Sequence, residues 1–392
     1  QDDLVVGTHG RSFWILDDLT PLRKFSRKSS RNKKRESDDV QFFPPRTTFR
    51  RTLNWSVNLF FGDGKNYSPD FGMPGTHYEE TTPEGEKRLR YLDMGENPPE
   101  GVIMNYFMES VPQEILELVI LDAGGKVIER FSSKLSNSDP KEKDDKQEDD
   151  KPSLPTKLGF NRFVWNMRYP GPEVKIDKAL EKPGYKQLGR DAPFGGGSDC
   201  GPTAPPGKYQ VQLKTGKTKI THSFEITKDP RLETSAEDFA LQFELWSKIG
   251  NQVSATNSAI NKVRKINLQI TELLSRVIFT KSAPGKSLIA VRKAAKSLMK
   301  QLSTIENQLI QNQYETPSDR LRHPTMLKER MEALVSVVSV SDAAPPQQAF
   351  AVYEELRIQI ETQLTQLKML EEKELPQLNK QIEQVGIPKL QA

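Results

Sequence analysis

Apolar positions follow two different periods along this chain. Up to about residue 228 they form short blocks or alternate, bounded by Gly and Pro; from residue 229 onward they recur about every 3.6 residues. Leu4-Val5-Val6-Gly7-Thr8, then His9-Gly10-Arg11-Ser12, then Phe13-Trp14-Ile15-Leu16 predicts strand, Gly-containing turn, strand. Both strands are apolar for most of their length, so both faces of the ribbon expect cover. An isolated two-stranded hairpin is marginal in water. The expectation is therefore that residues 1–22 belong to a larger sheet, upstream in a longer precursor or supplied by another chain. The alternative is a hairpin packed on the next domain of its own chain.

Residues 51–100 are rich in Gly, Pro, Asn and aromatics with little periodicity, which predicts ordered loops with short strands. Strand candidates follow at 102–108 and 115–121. A turn, Asp122-Ala123-Gly124-Gly125-Lys126, then returns the chain as 127–131. The β pattern resumes at 161–166, and again at Lys208-Tyr209-Gln210-Val211-Gln212-Leu213, whose hairpin partner is 220–226. Short strands with Gly/Pro turns over 42–228 fit an Ig-like antiparallel β-sandwich interrupted by long inserts at 132–158 and 172–204.

At Asp229-Pro230 the helical period begins. Thr234-Ser235-Ala236-Glu237-Asp238 offers a capping box, Thr234 with Glu237 or Ser235 with Asp238. Phe239, Phe243, Trp246, Ile249 and Val253 then mark one helical face, and Pro284-Gly285 breaks the helix. Three more amphipathic stretches follow, from about 287, over 325–340, and from Pro345-Pro346 onward, with Pro376 expected to kink the last. Four such stripes can satisfy one another, which predicts an antiparallel four-helix bundle over 229–392.

Composition sharpens this picture. Hydrophobic residues make up 35% and charged residues 28%, so solvated stretches must separate the packed parts. Eight basic residues lie between Arg23 and Arg35, which predicts a basic linker over 23–41; seven acids and four lysines at 139–151 predict a charged, solvated insert. One cysteine excludes a disulfide framework within the chain, and four dispersed histidines argue against a His-built metal centre. A net charge of +4 gives no global pull toward nucleic acid. No apolar run reaches the ~18 residues of a membrane span.

The segment Val5-Val6-Gly7-Thr8-His9-Gly10-Arg11-Ser12-Phe13-Trp14-Ile15-Leu16-Asp17-Asp18 resembles the closing blade of the bacterial sortilin-like, BNR-repeat β-propeller proteins, often labelled "glycosyl hydrolase, BNR repeat". Asn97-Pro98-Pro99, the run from Gly159 to Pro172, and Ala204-Pro205-Pro206-Gly207-Lys208-Tyr209 resemble the Ig-like module that follows the propeller in that family. The helical region from Asp229-Pro230-Arg231 matches its C-terminal layout. The repeated blades, with their Asp-box turns and any residues of the central channel, have no counterpart here. The resemblance implies a multidomain β + α chain: a propeller-blade hairpin, a sandwich and a bundle, in a secreted, periplasmic or cell-surface protein. It further implies a non-catalytic adaptor region for protein or glycan binding. The alternatives are part of a glycoside hydrolase whose active site lies in the propeller, or a scaffold subunit completing a partner's sheet.

Candidate chemistry is sparse. Asp17 and Asp18 are adjacent, so on a strand they point to opposite faces and cannot form a glycosidase pair with each other; bonding to backbone amides suits them better. Gly195-Gly196-Gly197 lacks the Lys-Ser/Thr and helix of a phosphate loop, and Cys200 has no basic neighbour in sequence. No catalytic, cofactor-binding or metal-ligating residue is therefore assigned, and no cofactor is expected. The expected ligand surface is Phe13, Trp14, Ile15, Trp55, Phe60, Phe61 and Tyr67, whose apolar side chains would pack on a partner protein, the aromatic ones also on the apolar faces of a sugar. The expected partners are an upstream propeller or another protein chain, a glycan, and a second copy through the helical bundle. Nucleic acid and a membrane span are not expected.

Overall fold

The computed structural model describes residues 2–10, 12–29, 40–51, 65–70, 73–81, 87–91, 98–133, 152–180, 200–216, 218–279, 285–314, 319, 321–386 and 390. The chain is a multidomain β + α protein. It divides into two compact units: Gln1–Arg51, Trp55–Tyr169 and Thr203–Glu233 form one, and Thr52–Asn54, Pro170–Pro202 and Thr234–Ala392 the other.

The first unit opens with an antiparallel hairpin, β1 (Leu4–Gly7) and β2 (Phe13–Leu16), followed by helix α1 (Thr20–Ser29). Its main body is two sheets. One has the order β11-β8-β3, from β3 (Val40–Phe42), β8 (Val102–Met108) and β11 (Gly159–Trp165). The other has the order β10-β9-β12-β13-β4, from β4 (Thr48–Arg50), β9 (Glu117–Leu121), β10 (Val127–Ser132), β12 (Gly207–Thr215) and β13 (Thr218–Lys228). A separate meander holds β5 (Lys65–Asp70), β6 (Met73–Thr81) and β7 (Lys87–Tyr91).

Alternation dictates how the two main sheets meet. On β8, Val102, Met104, Tyr106 and Met108 are buried while Ile103, Asn105 and Phe107 lie on the other face. They join Phe163 and Trp165 of β11 and Leu118, Ile120, Val211, Leu213, Phe224 and Ile226 from the second sheet in one core. Every neighbouring pair in these sheets is antiparallel except β13 with β4, which run parallel with Ile226 opposite Thr48. Tyr209, at the start of β12, donates its hydroxyl to the carbonyl of Pro205 at 2.7 Å. Burial pushes the Tyr209 hydroxyl well above its ordinary pKa and lifts that of Tyr169 to about 12.

The stretch read as a basic linker over 23–41 begins differently. Residues 23–29 are the body of α1, and 30–39 lie outside the described residues. Asp18 Oδ1 accepts the Thr20 amide at 3.0 Å and Pro21 sits in the first turn, so the helix start is specified locally. Phe25 then packs on Phe107 and Phe160, with ring centroids 4.5 and 5.4 Å away, on the outer face of the three-stranded sheet. Charge density alone had concealed a single well-placed aromatic anchor. The acidic insert at 139–151 and Gly195-Gly196-Gly197 fall outside the described residues.

The second unit is helical: α2 (Ala236–Phe279), α3 (Gly285–Leu309), α4 (Leu327–Ser339), α5 (Gln347–Met369) and α6 (Leu375–Gln384). A π-helical turn, Leu370–Glu374, carries α5 into α6, and Pro376 sits in the first turn of α6, directly after it. Of the two capping pairs offered by the sequence, Ser235 with Asp238 is the one formed. Ser235 Oγ accepts the Asp238 amide at 3.1 Å and Asp238 Oδ2 accepts the Ser235 amide at 3.1 Å. Residues from α2, α3, α4, α5 and α6 share one apolar core, including Trp246, Ile260, Leu302, Met331, Ile360 and Ile382. Buried in it is an ion pair, Arg264 Nε to Glu306 Oε1 at 2.8 Å, joining α2 to α3.

Residues 172–204 were expected as a loop of the β region. Pro170–Pro202 instead groups with the helices: Ile176 joins the helical core, and the carbonyls of Val174 and Lys175 accept the side-chain amides of Asn257 and Asn261, each at 2.8 Å. Two asparagines one turn apart on α2 give this stretch its backbone partners.

Candidate functional site

The β1–β2 ribbon pairs Leu4 with Leu16, Val5 with Ile15, Val6 with Trp14 and Gly7 with Phe13. Directly opposed residues share a face, so Leu4, Val6, Trp14 and Leu16 lie on one side and Val5, Phe13 and Ile15 on the other. All seven are exposed: Phe13 is 76%, Trp14 65% and Ile15 63% accessible, and even Leu16 is 43% accessible. Fully burying such side chains is worth about 1.5–3 kcal/mol each, so this surface carries a large unspent driving force for association.

The tip is set by local chemistry. Gly10 and Ser12 both take positive φ, and Thr8 donates its backbone amide and hydroxyl to the Ser12 carbonyl at 3.2 and 2.8 Å. The root is tied down. Asp3 Oδ1 accepts the Asp18 amide at 3.0 Å and the Arg46 guanidinium at 2.8 Å, and the Leu19 amide bonds the Asp2 carbonyl at 2.6 Å. Arg23 pairs with Asp2. The Asp18 amide, reinforced by Arg46, holds the Asp3 carboxyl below the usual carboxylate range. The ribbon is thus gripped at its base and presented along its length.

Beside that root, within the same unit, lies a cleft of about 460 Å³. Asp3, Asp17 and Asp18 line it from the hairpin; β4 and the residue after it bring Thr48, Phe49 and Arg51; Pro98–Gly101 and Arg162 line it from the start of β8 and from β11. Asp229, Pro230 and Arg231, just after β13, complete the lining. Arg231 grips Asp229 with Nε at 2.9 Å and Nη2 at 2.5 Å, which lowers the Asp229 pKa to about 2. Desolvation pushes the Glu100 carboxyl above its ordinary pKa, against the pull of Arg51. Two wall residues, Asp18 and Met167, adopt left-handed backbone at φ 58°, which costs a non-glycine residue about 1–3 kcal/mol. Gly101 is fixed more firmly: at φ +133°, a Cβ there would lie 2.2 Å from the Trp165 carbonyl oxygen.

Of the ligand surface expected from the sequence, Phe13, Trp14 and Ile15 come together on the ribbon. Tyr67 lies on β5, while Trp55, Phe60 and Phe61 fall outside the described residues. Asp18 bonds the Thr20 backbone amide, the role its position suggested. The cleft's arginines were not singled out, because they are scattered from 46 to 231 and meet only through strand register. Cys200 is a free thiol whose carbonyl accepts the Trp246 indole N–H at 3.3 Å. Among the described residues no three His, Cys, Asp or Glu side chains gather as a metal site, and no helix is long and apolar enough to cross a membrane.

No family model matches the chain, and no curated protein matches it. A solved structure titled "pT26-6p" is similar over 73% of this chain at 9% identity, with a TM-score of 0.14. The similarity covers 47% of that structure's chain, so this chain spans about half its length. At that score the likeness carries no argument.

Proposed function

We propose that this chain is a non-catalytic interaction region whose β1–β2 ribbon completes a β-sheet outside the two units described above, as a closing propeller blade would. The observation that carries this reading is exposure of apolar side chains on both faces of a two-stranded ribbon. A surface for a single flat partner would be apolar on one face and polar on the other. Apolar side chains on both faces, with outer strand edges open among the described residues, fit a ribbon that adds to a sheet and is covered by layers on either side. The resemblance of residues 5–18 to the closing blade of sortilin-like, BNR-repeat propellers names such a sheet.

On this reading the body of the first unit is an Ig-like sandwich serving as an adaptor. The strand order β10-β9-β12-β13-β4 against β11-β8-β3, and the Tyr209 hydroxyl on a carbonyl four residues upstream, support that assignment. The helices sharing one core support a bundle as the second module. A secreted or cell-surface setting belongs to the same proposal.

Sedimentation of residues 1–392 tests it. The exposed ribbon is expected to drive concentration-dependent self-association and binding of an apolar dye, both weakened by Phe13→Ser with Ile15→Ser, which strip one of its two apolar faces. A dye-silent monomer, or association unchanged by the double substitution, would overturn the reading.

A further inference from the structure

We propose that the cleft at the hairpin's root binds a small acidic sugar, its carboxylate on Arg51 and Arg162 and its hydroxyls on Asp17 and Glu100. Its hairpin side, Asp3, Asp17 and Asp18, lies at the ribbon's root, outside strands β1 and β2.

Four guanidinium groups line the cleft, and two are already committed: Arg46 to Asp3 at 2.8 Å and Arg231 to Asp229 at 2.5 Å. Arg51 and Arg162 are exposed and have no carboxylate at ion-pair distance among the described residues; Arg162 Nε reaches only Asn105 Oδ1, at 3.4 Å. Guanidinium groups in that condition are ready receptors for a carboxylate. Asp17 and Glu100 line the same cleft, and among the described residues no guanidinium lies at ion-pair distance from either.

This mixture selects among ligands. A bare phosphate would be drawn by the two arginines but repelled by the two carboxylates, to which it offers only one or two hydroxyl donors on a doubly or singly charged ion. A bare cation meets the reverse conflict. A hydroxyl both donates to a carboxylate and accepts from a guanidinium, so a polyhydroxylated acid satisfies both sets. Phe49, 52% exposed, and the rings of Pro98 and Pro99 add flat apolar surface suited to the C–H faces of a pyranose. A volume of about 460 Å³ suits a sugar of one or two rings and lies within the range of small-molecule sites. A zwitterionic peptide also carries both charges, but it uses two poles where this cleft offers a spread of donors and acceptors.

Titration calorimetry of the full chain with D-glucuronate is expected to give millimolar binding. Arg51→Gln and Arg162→Gln should each weaken it about tenfold or more, since one charged hydrogen bond is worth that factor. D-glucose should bind at least about tenfold more weakly than D-glucuronate, and the melting temperatures of both variants should match the parent, because both side chains are exposed. No binding of D-glucuronate, unchanged affinity in either variant, or equal binding of inorganic phosphate or diglycine would overturn the assignment.

Discussion

Gly101 shows how one residue fixes a wall of the cleft. It precedes β8 where the chain passes the end of β11, and Val102 is registered against Trp165. No L side chain fits a φ of +133° with a carbonyl oxygen 2.2 Å from its Cβ. Gly101→Ala is expected to lower stability by about 3 kcal/mol or more in urea unfolding, through strain and loss of the first β8–β11 pairing. A loss under about 1 kcal/mol would mean that the backbone relaxes and the wall is not rigid. At this scale the sequence was partly legible. Tyr209 could be picked out because alternation over 208–213 aims it inward, and Ser235 with Asp238 because capping chemistry is local. Arg46, Arg51, Arg162 and Arg231 could not, since their meeting depends on the parallel β13–β4 register and on β8 pairing with β11.

Elements were readable wherever period and length agreed. The stripe through Trp246, Ile249 and Val253 gave α2, and the broken apolar pattern at Pro284-Gly285 gave its end. Two elements escaped for opposite reasons. The helical residues of α1 look like linker because its cations outnumber its one anchoring ring, and the stretch around Val174 and Lys175 looks like a sandwich loop because its partners are side-chain amides on α2. The join of α2 to α3 carries a sharper test. Arg264 and Glu306 are almost fully buried and bonded at 2.8 Å, with Arg264 Nη2 also on Asn312 at 3.0 Å. Glu306→Ala leaves a buried guanidinium without its carboxylate and is expected to cost about 3–5 kcal/mol. Replacing both partners, Arg264→Met with Glu306→Leu, should cost far less, because no charge is then stranded. Equal losses in the two variants, read from urea midpoints at constant slope, would contradict the account of this pair.

For the whole molecule, the ribbon at residues 4–16 ties sequence to proposed function. Its strands were legible as two apolar blocks around a glycine turn, and the exposure of Phe13, Trp14 and Ile15 followed from there being too few strands to cover them. Its anchorage was not legible, because Asp3, Asp18 and Arg46 are ordinary surface residues until the fold brings them together. A ribbon held at its root and exposed along its length adds little to the stability of its own chain, whatever it contributes once docked. The most direct measurement is equilibrium urea unfolding of a Phe13→Ser, Trp14→Ser, Ile15→Ser variant at a concentration where the chain is monomeric. The account predicts a midpoint and slope equal to the parent's, with a change within about 0.5 kcal/mol as for surface substitutions. A loss of several kcal/mol, the size expected for emptying three core positions, would show that the chain covers its own ribbon and would contradict the docking role.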